Sequence, residues 1–253
     1  MRFNRRILLT NNNGTGRCVQ LDALRGFAIL AMIVFHFTFD LGYFGLISSD
    51  IIYRPNWIFF QKLIAGSFIF VAGISLHLCH GSGIKWSYVR QRLLVLGGAA
   101  FGISVITLFS FGVFWIKFGI LHCILVCSVT CLVFVHRPLS VILGITIALG
   151  IFVFSVPTPI DLPVAFQWLI ETRIRHYSLD YSPVFPWIFV FICGILLSKV
   201  KLILKPNLPC FYRSTWDKTM LTSLAYIGRR SLIIYIIHQP ILFIIFFSFI
   251  KLT

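Results

Sequence analysis

The sequence predicts an all-α protein, a polytopic bundle of about seven transmembrane helices. Of its 253 residues, 58% are hydrophobic and only 11% are charged, with a mean hydropathy of +0.94. This balance is typical of membrane proteins rather than soluble globules. A net charge of +15 would suggest nucleic acid binding in a soluble chain. Here the basic residues fall in alternate loops, so we expect no nucleic acid partner.

Each predicted helix is an apolar run of spanning length, about 17 to 25 residues. We assign residues 1–20 to a basic cytoplasmic segment, residues 21–253 to a single transmembrane domain, and residues 201–222 to a basic linker on the inner side of the membrane. The runs lie at 21–41, 57–79, 88–110, 117–135, 138–156, 184–200 and 230–250.

The distribution of basic residues predicts the orientation of the chain. Of the 22 Lys and Arg residues, 16 fall on the N-terminal side of the bundle, five fall on the opposite side, and Lys62 lies within the second run. Basic residues concentrate in cytoplasmic loops. We therefore predict a multi-pass protein of the cytoplasmic (inner) membrane, with its N-terminus inside and its C-terminus outside.

The first run carries the strongest candidates for chemistry. Arg25 and His36 are 11 residues apart, so they share a helical face about 16 Å apart along the axis. Asp40 lies one turn beyond His36. A carboxylate can orient an imidazole and raise its basicity, which suits general base catalysis. The alternative is that His36 and Asp40 only pair with each other or with a neighbouring helix.

Two further runs place polar residues within the membrane. His122 lies too far from the end of the fourth run to reach the interface, so ligand contact and interhelical hydrogen bonding are equally favoured. In the last run, Pro240 frees the carbonyl near Ile236. His238 and Gln239 then lie beside exposed backbone, an arrangement that often borders a cavity. A simple packing kink is the alternative.

Cysteine spacing predicts packing rather than metal binding. Cys123, Cys127 and Cys131 share one helical face. Small residues at this spacing usually allow helices to approach closely, whereas metal sites favour mixed ligands at loop spacings. We therefore predict no metal site.

Three stretches together resemble a known family. They are LDALRGFAILAMIVFHFTFDLGYFG, FGILHCI, and the pair FPWIFVFICGILL and LAYIGRRSLIIYIIHQP. They are similar to bacterial membrane proteins related to the catalytic domain of heparan-alpha-glucosaminide N-acetyltransferase, within the wider transmembrane acyltransferase group. The resemblance implies that an acyl group, expected to be acetyl, passes from cytoplasmic acyl-CoA to a glycan or other envelope acceptor outside. No permanently bound cofactor is expected.

The resemblance also implies roles for individual residues. The eukaryotic enzyme has its catalytic His in the loop after the first helix of this core, and the corresponding loop here, LGYFGLISSDIIYRPN, contains none. VFHF is similar to a pattern in related bacterial acyltransferases, so His36 is the expected general base, assisted by Asp40. Positive charge on the cytoplasmic side would bind the CoA phosphates, and the residues expected to supply it are Arg25, Arg90 and Arg92. Other polar residues would position the donor, and these are His122, His238 and Gln239.

Two other functions fit the same residues. A small transporter or channel would use the ionisable groups as a proton or ligand path. A noncatalytic membrane scaffold would use them to hold helices together. Membrane lipids are expected partners in every case, and a homodimer is left open.

Overall fold

The computed structural model describes residues 18–155, 180–204 and 215–252, and most of these residues are helical. Within these ranges there is no β-strand, and Phe118 and Tyr181 form one isolated parallel bridge. The all-α prediction is therefore confirmed. The helices are α1 (Val19–Tyr43), α2 (Pro55–His80), α3 (Trp86–Phe111), α4 (Ile120–Thr130), α5 (Leu139–Ser155), α6 (Val184–Leu204), α7 (Thr215–Arg229) and α8 (Ser231–Leu252).

Four of these helices are long and apolar enough to cross a membrane, namely α1, α2, α3 and α8. The remaining predicted runs correspond to the shorter apolar helices α4, α5 and α6. The chain is thus a multi-pass helical membrane protein. Seven spans and an internal N-terminus stay predictions, and the basic segment predicted at residues 1–20 lies almost entirely outside the described residues.

The predicted fourth run, residues 117–135, is only partly α-helical. Its first residues are extended, because Phe118 bridges to Tyr181. The regular helix begins at Ile120, and a short 3-10 helix, Cys131–Phe134, continues it. Cys123, Cys127 and Cys131 are fully buried, as expected for residues that pack against neighbouring helices.

Helix α7 begins within the segment predicted to be a basic linker, residues 201–222, and sequence analysis did not assign it. It runs from Thr215 to Arg229 and is amphipathic rather than uniformly apolar. Its buried face includes Ala225 and Gly228, while Tyr226 is exposed. A search for long apolar runs misses such a helix, because its stability comes from packing one face rather than from crossing the membrane.

The chain divides into two compact units. The first unit comprises residues 1–68 and 205–253, and the second comprises residues 69–204, with the boundary inside α2. The single transmembrane domain predicted for residues 21–253 stays a prediction.

In the first unit, α1 and α7 cross at two glycines. A methyl group on Gly26 would overlap the carbonyl oxygen of Leu224, and one on Gly228 would overlap the carbonyl oxygen of Asp22. Only glycine allows backbones to come so close.

The second unit contains a similar crossing of α2 and α6. A methyl group on Gly73 would overlap the carbonyl oxygen of Phe191, and one on Gly194 would overlap that of Phe70. Phe191 itself is fully buried beside this crossing. Each unit therefore contains a pair of helices whose backbones are in contact at glycines.

Candidate functional site

Within the first unit, α1 and α8 bring together four of the residues singled out in the sequence. These four, called here the α1–α8 cluster, are His36, Asp40, His238 and Gln239. The imidazole rings of His36 and His238 are 4.8 Å apart between centroids and meet edge to face. The side-chain nitrogen Nε2 of Gln239 donates a hydrogen bond to Oδ1 of Asp40 at 2.8 Å. Two helices distant in sequence thus supply one polar site.

The tautomer of His238 follows from its hydrogen bond within α8. Nδ1 lies 2.7 Å from the carbonyl oxygen of Tyr235. Because a carbonyl only accepts, Nδ1 carries the proton and donates it. In the neutral imidazole the other ring nitrogen, Nε2, therefore presents a lone pair. Pro240 lies inside the same helix, two residues further on.

Three buried atoms of the α1–α8 cluster have no hydrogen-bond partner among the described residues. They are Oδ2 of Asp40, Nε2 of His238 and Oε1 of Gln239. Asp40 is fully buried and His238 is 8% exposed. A buried polar atom left without a partner costs about 1 to 3 kcal/mol. Such atoms are uncommon in native proteins, and three together mark this site as unusual.

The surroundings of His36 are aromatic. The ring of Phe35 meets the imidazole edge to face at 5.6 Å. Trp57 and Phe60, from α2, lie 5.9 Å and 6.5 Å from Phe35. His36 itself is half-buried. Apolar rings around a polar group lower the local dielectric and strengthen its electrostatic interactions.

Within the described residues, Asp40 makes no hydrogen bond to His36, although the two share a helical face. The carboxylate of Asp40 accepts its hydrogen bond from Gln239 instead. The prediction that Asp40 orients the imidazole of His36 stays a prediction. Pairing with Gln239 was not foreseen, since 199 residues separate the two in sequence.

Arg25 lies near the beginning of α1 in an ion-pair cluster. Its guanidinium lies 2.6 Å from Oδ1 of the buried Asp22, and Nε of Arg229 lies 3.5 Å from Oδ2 of the same carboxylate. Two guanidinium groups therefore contact the same carboxylate. Sequence analysis missed Asp22 and Arg229 as partners, because it assigned no helix α7.

The other predicted phosphate contacts lie in the second unit, on the first two turns of α3. Arg90 is exposed, whereas Arg92 is half-buried. Exposure leaves the guanidinium of Arg90 accessible.

His122 also lies in the second unit, in the first turn of α4. Its Nδ1 accepts a hydrogen bond from the backbone nitrogen of Gly119 at 3.2 Å. The proton therefore resides on Nε2, which lies 3.4 Å from Oγ of Ser104. Ser104 in turn donates to the carbonyl oxygen of Ile116 at 2.8 Å. Both nitrogens of His122 are engaged, which favours the interhelical alternative.

The half-buried carboxylate of Asp180 lies at the beginning of α4. Oδ2 of Asp180 accepts a hydrogen bond from the backbone nitrogen of Ile120 at 3.2 Å, and Oδ1 accepts one from Ser182 at 3.3 Å. Burial raises the pKa of the Asp180 carboxyl above its ordinary value, although these two hydrogen bonds oppose the shift. We call Ser104, Gly119, Ile120, His122 and Asp180 the α4 cluster.

A cavity of about 450 Å³ adjoins the α4 cluster. Its lining is largely apolar, from Phe101, Leu108 and Trp115, and it also includes Lys117 and His122. Sequence analysis did not single out Ser104 or Asp180, since neither belongs to a motif with a recognisable spacing.

Comparison with known proteins agrees with the resemblance seen in the sequence. Residues 17–240 match the family described as "Heparan-alpha-glucosaminide N-acetyltransferase, catalytic". Neither a curated protein nor a solved structure matches the chain. The family match covers most of the chain and includes all residues of both clusters. The predicted resemblance is thereby confirmed, and the chain belongs to the heparan-alpha-glucosaminide N-acetyltransferase catalytic family, whose members are acetyltransferase-like membrane proteins.

Proposed function

We propose that this protein is an integral membrane acyltransferase of the cytoplasmic membrane. It takes an acyl group, acetyl in the simplest case, from cytoplasmic acyl-CoA and transfers it to a sugar or other envelope acceptor on the outer side. The observation that carries this proposal is the family match over residues 17–240. The matched residues include the polar site where the imidazole rings of His36 and His238 meet. The N-terminus is cytoplasmic in this proposal.

His36 acts as the general base. An acceptor hydroxyl or amine attacks the thioester carbonyl carbon, and its proton passes to the imidazole of His36. The carbon–sulfur bond then breaks, the electron pair stays on sulfur, and the imidazolium returns the proton to give the free CoA thiol. The aromatic rings beside His36 keep the site apolar, which strengthens its electrostatic interactions.

Arg25, Arg90 and Arg92 bind the CoA phosphates, because guanidinium groups form strong charge-assisted hydrogen bonds with phosphate. The contacts of Arg25 and Arg229 with Asp22 support this role, since they bring two guanidinium groups close together. His122 lines the cavity beside α4, but both of its ring nitrogens have protein partners, so it stabilises the fold in this proposal and makes no contact with the donor.

Donor binding is tested by titrating the purified full-length protein in lipid nanodiscs with acetyl-CoA. We expect saturable binding that Arg25→Ala weakens more than Arg137→Ala does. Arg137 is the matched control, because it is exposed and belongs to neither cluster. Equal effects of the two substitutions would reduce the contribution of Arg25 to general electrostatics.

Transfer is tested by mass spectrometry of envelope glycans and lipids from cells with and without the gene. We expect acyl esters or amides that disappear when the gene is deleted and return when it is restored. Identical envelopes, together with no binding of acetyl-CoA by the purified protein, would contradict an acyltransferase.

A further inference from the structure

The three atoms without partners in the α1–α8 cluster share one chemical property. An ionised Asp40 offers only lone pairs at Oδ2, the amide oxygen of Gln239 is an acceptor, and Nε2 of a neutral His238 is unprotonated because Nδ1 carries the single ring proton. All three are therefore hydrogen-bond acceptors. The site has unfilled accepting capacity and no matching donors among the described residues.

This property determines what kind of ligand the cluster can bind. Phosphate and carboxylate groups carry only acceptors, so they would face lone pairs and a negative charge at close range. The phosphates of an acyl-CoA are thereby excluded from this position. A compound that brings several O–H or N–H groups satisfies the buried acceptors and removes the cost of leaving them unpaired.

We infer that Asp40, His238 and Gln239 form the acceptor-binding subsite, and that it takes a compound presenting two or more O–H or N–H groups. This inference rests on the proposed acyltransferase function and identifies the substrate class of that site. It assigns His238 and Gln239 to the acceptor rather than to the donor, which is the role that the sequence suggested for them.

The geometry of the cluster supports the assignment. Nε2 of Gln239 donates a hydrogen bond to Asp40, and this bond holds the carboxylate in place. The amide oxygen of Gln239 then faces away from that carboxylate. His238 lies with its ring 4.8 Å from that of His36. A hydroxyl or amine held by His238 therefore lies beside the proposed base. Asp40, His238 and Gln239 are positioning residues, and His36 accepts the proton.

The test is equilibrium binding of small probes to the full-length protein in nanodiscs, with no donor present. Methyl glucoside presents several O–H groups, its fully O-methylated derivative presents none, and n-butylamine presents only N–H groups. We expect methyl glucoside or butylamine to bind and the O-methylated derivative to bind at least roughly tenfold more weakly, because each lost hydrogen bond to a buried charged acceptor is costly. Comparing the two binding probes distinguishes O–H from N–H recognition.

Variants assign the effect to the named atoms. Asp40→Asn replaces a charged acceptor, and we expect roughly 10- to 100-fold weaker binding of the preferred probe. His238→Phe keeps an aromatic ring beside His36 but removes Nε2, and we expect a loss of roughly tenfold. Thr38→Val is the matched control on α1, since the Thr38 hydroxyl is already bonded to the carbonyl oxygen of Val34; it should change binding less than twofold.

Several results would overturn the inference. One is equal binding of methyl glucoside and its O-methylated derivative by the unsubstituted protein, a comparison that needs no variant to fold. Absence of binding by both methyl glucoside and butylamine is another, as is unchanged affinity in folded Asp40→Asn protein. Acetyl-CoA titrations run in parallel separate the two proposals. Loss of acetyl-CoA binding contradicts the acyltransferase, whereas unchanged acetyl-CoA binding with no probe selectivity contradicts only this subsite.

Discussion

The α1–α8 cluster and the α4 cluster both contain a histidine within an apolar helix, yet their hydrogen bonding differs. In the α4 cluster, both nitrogens of His122 have partners. In the α1–α8 cluster, Nε2 of His238 and two oxygen atoms have none among the described residues. A histidine whose nitrogens are both engaged stabilises the fold, whereas one with a free lone pair beside other unpaired acceptors is available to a ligand. Residue type and depth alone do not separate the two cases.

Replacing His36 should give the largest effect on activity. General base catalysis contributes about 10² to 10⁴-fold to rate, so His36→Ala should lower the turnover of acyl transfer by that factor. Binding of acetyl-CoA and the thermal unfolding midpoint should stay close to those of the parent protein. The measurement is steady-state transfer from labelled acetyl-CoA. Transfer at the parent rate by folded, CoA-binding protein would place the chemistry elsewhere.

Replacing His122 should change stability rather than chemistry. His122→Ala removes the acceptor of the Gly119 backbone nitrogen and the donor to the Ser104 hydroxyl, which should cost about 1 to 3 kcal/mol of unfolding free energy. We expect a lower unfolding midpoint in detergent, with turnover per folded molecule nearly unchanged. Ser104→Ala is the control, because it removes one of the same bonds. If His122→Ala lost turnover without losing stability, the α4 cluster would also take part in the reaction, and the proposed difference between the two clusters would be wrong.

The carboxyl of Asp180 should make the smallest contribution, one that depends on pH. Burial raises its pKa in the folded state, so over the affected range the folded protein binds more protons than the unfolded protein. Stability from this group therefore falls as pH rises from the ordinary Asp pKa of about 3.9 through the raised value. Unfolding midpoints measured across this range should decline less in Asp180→Asn than in the parent protein. Parallel profiles would show that Asp180 does not titrate there.

Local pattern predicts a large part of the fold. The apolar runs at 21–41, 57–79 and 88–110 correspond closely to α1, α2 and α3, because spanning length and hydropathy are properties of a continuous segment. The same local rule does not detect α7, Thr215–Arg229, because this helix is amphipathic and packs closely on α1. It also extended the fourth helix too far, since the pairing of Phe118 with Tyr181 could not be seen locally.

The sequence by itself determined the class of the protein, the positions of its long helices and the shared face of His36 and Asp40, because each depends on composition or on the 3.6-residue period. Only the tertiary structure decided which polar groups meet. Asp40 pairs with Gln239 across 199 residues, and Ile120 donates to Asp180 across 60. Hydrogen bonds between distant segments depend on how helices pack, and helical periodicity carries no information about the partner. The unpaired acceptors that distinguish the α1–α8 cluster can therefore be identified only from the tertiary structure.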